Sequence, residues 1–249
     1  MRIFQRFLAV IGLATACVAA PASATTIFLD EAHYSPPALF GGISYTPLSL
    51  TFGGEAGRFA FTGRNAQTND PFSVLSYCLD FTRTLTGGNF ELGAISSFLS
   101  NTTKQQQLAA LLRNTNPLFA TTNDVSLQSR IAASVALGVW EIVFEAGVGG
   151  YSVANGDFST FGDFVDIQAQ ADSYLAAVLN GPVGNANDIG ALVAFDNQSQ
   201  VFLVGGGAGG GVPEPATWAM MMLGFGMIGA ALRRRGWQAS QKVSCLLNR

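Results

Sequence analysis

The feature that most constrains this chain is an uncharged apolar segment near its C-terminus. Residues 216–232 carry no charged side chain, and Arg233, Arg234 and Arg235 follow at once. The seventeen residues of this segment are at the lower limit for a helix that crosses a bilayer. Because arginines at the end of an apolar span favour the cytoplasm, the sequence predicts a single C-terminal transmembrane helix whose preceding chain faces outward.

The residues around this segment have distinct conformational preferences. A glycine-rich linker at 205–212 leads into Pro213-Glu214-Pro215, which the two prolines hold extended and exposed. Trp218 falls at the outer membrane interface, where an indole ring is favoured. Residues 224–229 also spell G-x-G-x-x-G, but the dinucleotide-binding interpretation requires a preceding strand that an apolar helix does not provide. Residues 236–249 form a predicted short cytoplasmic tail.

This combination resembles the PEP-CTERM sorting signal of Gram-negative bacteria. The residues that carry the resemblance are Pro213, Glu214, Pro215, Trp218, Gly224, Phe225, Gly226, Arg233, Arg234 and Arg235. The resemblance implies recognition by an exosortase, a membrane cysteine peptidase that cuts at or near the tripeptide and releases or transfers the protein to the cell exterior. It covers residues 213–235, and the tail that follows is longer than is usual in this family.

The first 24 residues have the pattern of a secretory signal peptide. Two arginines precede an apolar run at residues 7–20, and small residues follow it. The pattern predicts cleavage after Ala24, with Ala22 and Ala24 as the recognised small residues and Thr25 as the new N-terminus. An alternative is a lipoprotein signal with Cys17 as the modified residue, although the leucine before it lies one place too far upstream.

Between the two signals, residues 25–204 are long enough to form one exported domain with its own core. From position 25 to position 212, fifteen acidic residues against six basic ones give a net charge of −9. An acidic surface repels nucleic acid and anionic membranes, so no nucleic-acid partner is expected. The same charge suits a solvated extracellular setting.

The hydrophobic pattern predicts strands, then helices, then strands. The predicted strands are residues 43–52, 58–61, 72–80, 81–92, 189–195 and 200–204, and the predicted helices are 104–113, capped by Thr103, 126–145 and 166–179. This order indicates an α+β domain with an antiparallel sheet. Residues 131–144 are apolar nearly all round, with Glu141 as the only charge, so this helix is expected at the centre of the core. It is too short and interrupted to span a membrane.

A cysteine at the end of an early strand and an apolar helix with a tryptophan resemble the thioester domains of bacterial surface adhesins. Cys78 and Trp140 carry this resemblance. In that family the cysteine condenses with a glutamine four residues before the tryptophan, and here that position is Ala136. The resemblance therefore implies a similar scaffold without the thioester bond.

Cys78 is the only cysteine between the two signals, so an intramolecular disulfide is excluded. It is either buried and inert or a candidate reactive thiol for covalent attachment or dimer formation. A cysteine nucleophile needs a base beside it, and His33 is the only histidine in the chain. No local signature surrounds either residue, and a solitary histidine is more often a surface residue. One histidine and one cysteine exclude a zinc site of the usual type unless carboxylates supply the other ligands.

Two groups of carboxylates are candidates for chemistry. Asp157, Asp163 and Asp166 offer oxygen ligands of the kind that Ca²⁺ prefers, but their spacing matches no known calcium loop and a solvated acidic loop is simpler. Glu141 and Glu145 lie one turn apart on the predicted helix, as paired catalytic carboxylates would. A simpler interpretation is that Glu145 points to solvent at the helix end. The sequence predicts no metal site and no cofactor.

These observations favour a non-enzymatic exported protein with a structural or adhesive role. Its expected partners are an exosortase, the membrane during processing and, as a candidate, the exopolysaccharide of a cell surface or biofilm matrix. The alternative is a secreted hydrolase that acts on matrix polymers with Glu141, Glu145 and Asp80 as its carboxylates. The shortage of histidine, cysteine and clustered acids favours binding or structure.

Overall fold

The computed structural model describes residues 25–205 of the 249-residue chain. The predicted signal peptide with Ala22 and Ala24, most of the glycine-rich linker, the segment at 213–235 and the tail at 236–249 lie outside the described residues. Thr25, the predicted first residue of the mature chain, is the first residue described.

The described residues form nine β-strands and three α-helices, which confirms the α+β class. The strands are β1 (Thr25–Tyr34), β2 (Leu39–Tyr45), β3 (Leu50–Ala56), β4 (Phe59–Asn65), β5 (Pro71–Cys78), β6 (Asn89–Ala94), β7 (Phe158–Phe161), β8 (Ile189–Val193) and β9 (Gln200–Leu203). The helices are α1 (Thr102–Thr115), α2 (Val125–Phe144) and α3 (Val165–Asn180). Every strand pair is antiparallel.

Six strands close into a barrel in the order β1-β4-β5-β9-β8-β6, with β6 pairing back onto β1. The other three form a separate sheet in the order β3-β2-β7. The sequence predicted one antiparallel sheet, and the structure has two. Closure depends on pairings between distant segments, such as Thr25 with Leu92 and Ser76 with Phe202, which a local pattern does not encode.

The barrel interior is filled by apolar side chains. Ile27, Phe61, Phe90 and Leu192 are all buried there, and the Phe61 and Phe90 rings meet edge to face with centroids 5.2 Å apart. Large side chains fill a small barrel completely, so this interior is a core and not a channel. Sequence reasoning missed β1, although its alternation of buried and exposed residues from Ile27 onward is a period-2 signal.

A tight turn divides the strand predicted at 43–52 into β2 and β3. Pro47 lies in the 3-10 turn Thr46–Leu48, and Ser49 closes the turn with φ of 51°. Proline lacks an N–H for sheet pairing, so it cannot lie in the middle of a central strand. The chain therefore reverses at this point, and β2 pairs with β3 along the full length of both strands.

Four glycines face one another across β2 and β3, Gly41 with Gly54 and Gly42 with Gly53. At three of these glycines, an aromatic ring occupies the space that a Cβ atom would need. These rings are those of Phe164 over Gly41, Phe161 over Gly42 and Phe40 over Gly53. The glycines therefore leave a bare backbone surface that the rings contact directly.

Helix α2 lies at the centre of the molecule, as predicted. Asp124 caps it by accepting hydrogen bonds from the amides of Ser126 and Leu127, and every residue from Ile131 to Ile142 is buried. Among the described residues, α2 is the helix with the length and composition of a membrane span, but 72% of its apolar window is buried inside the protein. Its apolar surface is therefore covered by protein.

Several predicted boundaries differ from the structure. Helix α1 is capped by Asn101, whose side chain accepts from the amide of Lys104, and not by Thr103. The strand predicted at 81–92 begins only at Asn89, because the chain from 81 to 88 makes turns and irregular structure. The short strand β7 carries too few residues for a pattern to be recognised, and sequence reasoning missed it.

Candidate functional site

Cys78 and Trp140, which the sequence singled out together, are in contact. Cys78 ends β5 and Trp140 lies on α2, and the indole Nε1 donates a hydrogen bond of 2.9 Å to the Cys78 carbonyl oxygen. The ring also meets Phe81 and Phe158 edge to face. This contact ties the barrel to the central helix.

The Cys78 thiol is enclosed by the core, with 2% of the residue exposed. Burial raises its pKa well above the ordinary range, and hydrogen bonds from the Asp80 amide and Trp140 offset only part of that effect. The thiolate is the reactive form of cysteine, so a thiol with a raised pKa is a poor nucleophile. The geometry gives Cys78 a packing role.

The structure does not bring His33 and Cys78 together. His33 lies on β1 with its side chain 56% exposed, and its Nδ1 is 3.4 Å from Glu31 Oε1. Cys78, in contrast, is buried. The base that a cysteine nucleophile requires is therefore missing from the core around the thiol, as far as residues 25–205 describe it.

Glu141 of α2 and Glu145, the C-cap residue of that helix, bind backbone amides of the segment that follows the helix. Glu141 Oε1 accepts from the Ser152 amide at 2.8 Å, and Glu145 Oε2 accepts from the Asp157 amide at 2.9 Å. Glu145 is half-buried and does not simply point to solvent, as the simpler interpretation expected. Both of these candidate carboxylates therefore hold residues 146–157, here called the 146–157 loop.

Asp172 on α3 is a third carboxylate in this group, and sequence reasoning missed it. Its Oδ1 accepts from the Val153 amide at 2.9 Å, and its Oδ2 lies 3.4 Å from the Ser152 hydroxyl oxygen, which donates to it. No sequence spacing links position 172 with position 141, because the two side chains meet only when α3 packs on α2. The cluster of Glu141, Glu145 and Asp172 therefore forms only when the helices pack together.

Among these three acids, Glu141 has the pKa that is shifted furthest from its ordinary value. The residue is fully buried, and its Oε2 has no hydrogen-bond partner among the described residues. Burial raises the pKa of Glu141 to about 8, with a further rise from Glu145 and Asp172 and a partial offset from the Ser152 amide and Lys104. The carboxyl group therefore stays largely protonated at neutral pH.

Lys104 is the cation of this region, and it was missed as a buried residue. Its Nζ donates to the carbonyl oxygens of Val143 and Glu145, at 3.3 Å to the first. A positive charge at the last carbonyls of a helix stabilises its C-terminus. Lys104 therefore caps α2 through the backbone rather than pairing with the Glu141 carboxyl group.

The remaining candidate acids lie in other surroundings. Asp80 pairs with Arg83 at 3.1 Å and accepts from the Thr82 amide. Asp163 lies in a 3-10 turn, and Asp166 lies in the first turn of α3. Residues 25–205 contain no group of three His, Cys, Asp or Glu side chains placed to hold a metal ion.

An open groove of about 490 Å³ lies between β3 and residues 81–85. Its lining includes Phe40, Phe52, Glu55, Arg83, Trp140 and Gln198. Aromatic surface beside a few polar groups is the usual composition of a ligand site. Phe40 is 61% exposed, which makes it the most accessible ring at this groove.

Comparison with known proteins bears on the C-terminal region alone. No curated protein and no solved structure matches the chain. Residues 211–235 match the PEP-CTERM protein-sorting motif. The match covers the tripeptide, the apolar segment and the arginine cluster that the sequence singled out. This chain therefore carries the sorting signal of a PEP-CTERM protein, which marks it for export and for processing by an exosortase at the membrane.

Proposed function

We propose that the domain at 25–204 is delivered by this signal to the cell surface or exopolysaccharide, where it has a non-enzymatic structural or adhesive role. The observation that carries the proposal is the motif at residues 211–235. A cut at or near the tripeptide, as the resemblance implies, would lie between the folded domain and the apolar segment and would free the domain from the membrane. The acidic composition, with no basic residue between Arg130 and Arg233, suits a solvated exterior.

A non-enzymatic role is supported by what the candidate catalytic groups do in the fold. Cys78 is buried, and Glu141 is enclosed and bound to a backbone amide. Asp80 is engaged by Arg83. Each group therefore has a structural partner, and a polymer chain in solvent would not reach Glu141.

The sorting claim is tested by altering the tripeptide in the full chain. With Pro213 and Pro215 both changed to alanine, we expect an unprocessed precursor in the membrane fraction of an exosortase-containing strain. Gly209→Ala in the linker is the matched control and should be processed normally. Processing of the double variant at the wild-type rate would contradict recognition through the tripeptide.

The adhesive role is assigned to the groove beside β3, with exopolysaccharide as the candidate ligand. Phe40 and Phe161 are both exposed rings over glycines of the same sheet, but only Phe40 lines the groove. We predict that Phe40→Ala weakens binding to the exopolysaccharide of the producing strain by about three- to tenfold, the range of a lost aromatic contact. Phe161→Ala should leave binding unchanged. Equal effects of the two variants, or none, would reject the groove as the binding surface.

The hydrolase alternative rests on one observation, the raised pKa of Glu141, which lies in a range suited to a general acid at neutral pH. If the domain degrades matrix polymers, then replacing Glu141, Glu145 and Asp80 should abolish the activity. Unchanged turnover in those variants would reject them as the catalytic set.

A further inference from the structure

The 146–157 loop crosses from the end of α2 to β7 and is held by three carboxylates. The amides of Ser152, Val153 and Asp157 donate to Glu141, Asp172 and Glu145, at distances of 2.8 to 2.9 Å. One of these acids lies in α2, one is its C-cap residue and one lies in α3. Closure of the loop therefore brings three acids onto one short stretch of backbone.

Glu141 is the member of this group that the closed loop seals from water. Its Oε1 accepts the Ser152 amide, whereas its Oε2 is buried without a hydrogen-bond partner among the described residues. A buried ionised carboxylate with one free oxygen is costly, because its lost hydration is not replaced. A protonated carboxyl group avoids the buried charge and keeps the bond to Ser152.

Charged and titratable groups on α1, on α3, at the end of α2 and on the loop surround Glu141 and affect its protonation. Glu145 at the C-cap of α2 and Asp172 on α3 both disfavour a negative charge on Glu141, whereas Lys104 on α1 favours it. Tyr151 on the loop donates its hydroxyl to Gln107 at 2.6 Å and stays neutral, since burial raises its pKa to about 12. The Lys104 ammonium is directed at backbone carbonyls, so the balance of these groups favours the protonated acid.

We propose that the 146–157 loop is a proton-dependent latch, which closes over protonated Glu141 and opens increasingly as the pH rises and Glu141 gives its proton to water. Opening would expose Tyr151 and Val153, which are buried in the closed form. It would also loosen β7, because the Thr160 amide and hydroxyl both bond to the Val153 carbonyl oxygen. Loss of the Glu141 proton would therefore also weaken the edge strand of the three-stranded sheet.

The direction of the pH effect follows from linkage. An opened loop hydrates Glu141 and returns its pKa to the ordinary value of 4.5, whereas the closed loop holds the pKa at about 8. Closing therefore takes up one proton between these two values, and the closing constant falls about tenfold per pH unit across that window. Above about pH 8, Glu141 is ionised in both the open and the closed loop, and the closing constant no longer changes with pH.

Hydrogen–deuterium exchange on the full-length protein in detergent tests this proposal. Protection of the loop amides, corrected for the intrinsic pH dependence of exchange, should fall about tenfold per pH unit from pH 5.5 and level off near pH 8. Amides of α2 between residues 131 and 139 should keep their protection over the same range. Constant protection of the loop from pH 5.5 to 9 would overturn the proposal, whatever the variants do.

Two glutamine variants assign the effect to one residue. Glu141→Gln keeps the shape and the acceptor for Ser152 but cannot titrate, so the loop should stay protected at every pH. Glu91→Gln changes an exposed glutamate on β6 and should keep the wild-type pH profile. A wild-type pH profile in Glu141→Gln would show that another group is responsible, and the latch assigned to Glu141 would be wrong.

Discussion

At the scale of single residues, the contact between Cys78 and Trp140 shows how packing determines whether a thiol can react. The tryptophan binds the backbone of the cysteine and leaves the thiol among apolar side chains, where it packs as a small hydrophobe. The sequence placed these two residues on an early strand and on the central helix. It could not decide whether the thiol was open to solvent, because that depends on how the barrel and α2 pack.

Thiol labelling of the native protein is predicted to fail at Cys78. Burial and the raised pKa both keep the thiolate away from an added reagent at pH 8. We expect no modification until denaturant unfolds the domain, followed by complete reaction. Modification by mass spectrometry within minutes under native conditions would contradict the buried, inert assignment and favour a role in covalent attachment.

Asp172 and Lys104 show what a residue-by-residue search misses. Both lie in predicted helices at positions that look like ordinary solvated charges. In the structure Lys104 is buried and donates to the last carbonyls of α2, and Asp172 is half-buried and accepts from the 146–157 loop. Neither has a motif around it, because its role is created by helix packing. The paired spacing of Glu141 and Glu145 was visible, but the amides that they bind were not.

At the scale of elements, helices were predicted more closely than strands. The prediction of 126–145 for α2 differs from Val125–Phe144 by one residue at each end, because the apolar pattern of a helix is a local signal. The barrel was not predicted, because β5 pairs with β9 across more than a hundred residues of chain. Strand order is set by such distant pairings and not by local pattern.

We predict that adding a side chain to a glycine of β2 destabilises the domain. A Cβ on Gly41 would lie 2.4 Å from the Phe164 ring, which is itself fully buried and cannot move without repacking the core. Gly41→Ala should therefore reduce the free energy of unfolding by about 1–3 kcal/mol, as overpacking does. Urea unfolding followed by tryptophan fluorescence measures this change.

Gly87→Ala is the matched control for this prediction, because a Cβ at that position meets no atom within 4 Å. Its effect on the free energy of unfolding should stay within about 0.5 kcal/mol, as for most surface changes. Equal stability of the two variants would contradict the packing of Phe164 on bare backbone.

At the scale of the whole molecule, the chain consists of a folded domain, a C-terminal sorting motif and a predicted N-terminal signal peptide. The sorting signal was readable from sequence because its residues are contiguous and each part has its own physical preference. The role of the domain is harder to predict, since the groove beside β3 is lined by residues from four separate stretches of chain. The sorting motif was therefore predictable from local sequence, whereas the groove is formed only when the domain folds.

The most direct test of the central claim is the intact mass of the protein recovered from strains with and without an exosortase. With the enzyme, we predict a chain that begins at Thr25 and ends at or near Pro213-Glu214-Pro215, so the apolar segment at 216–232 is gone. Without it, the mass should include residues to Arg249. One mass in both strains that retains residues 216–249 would contradict sorting and processing through the motif.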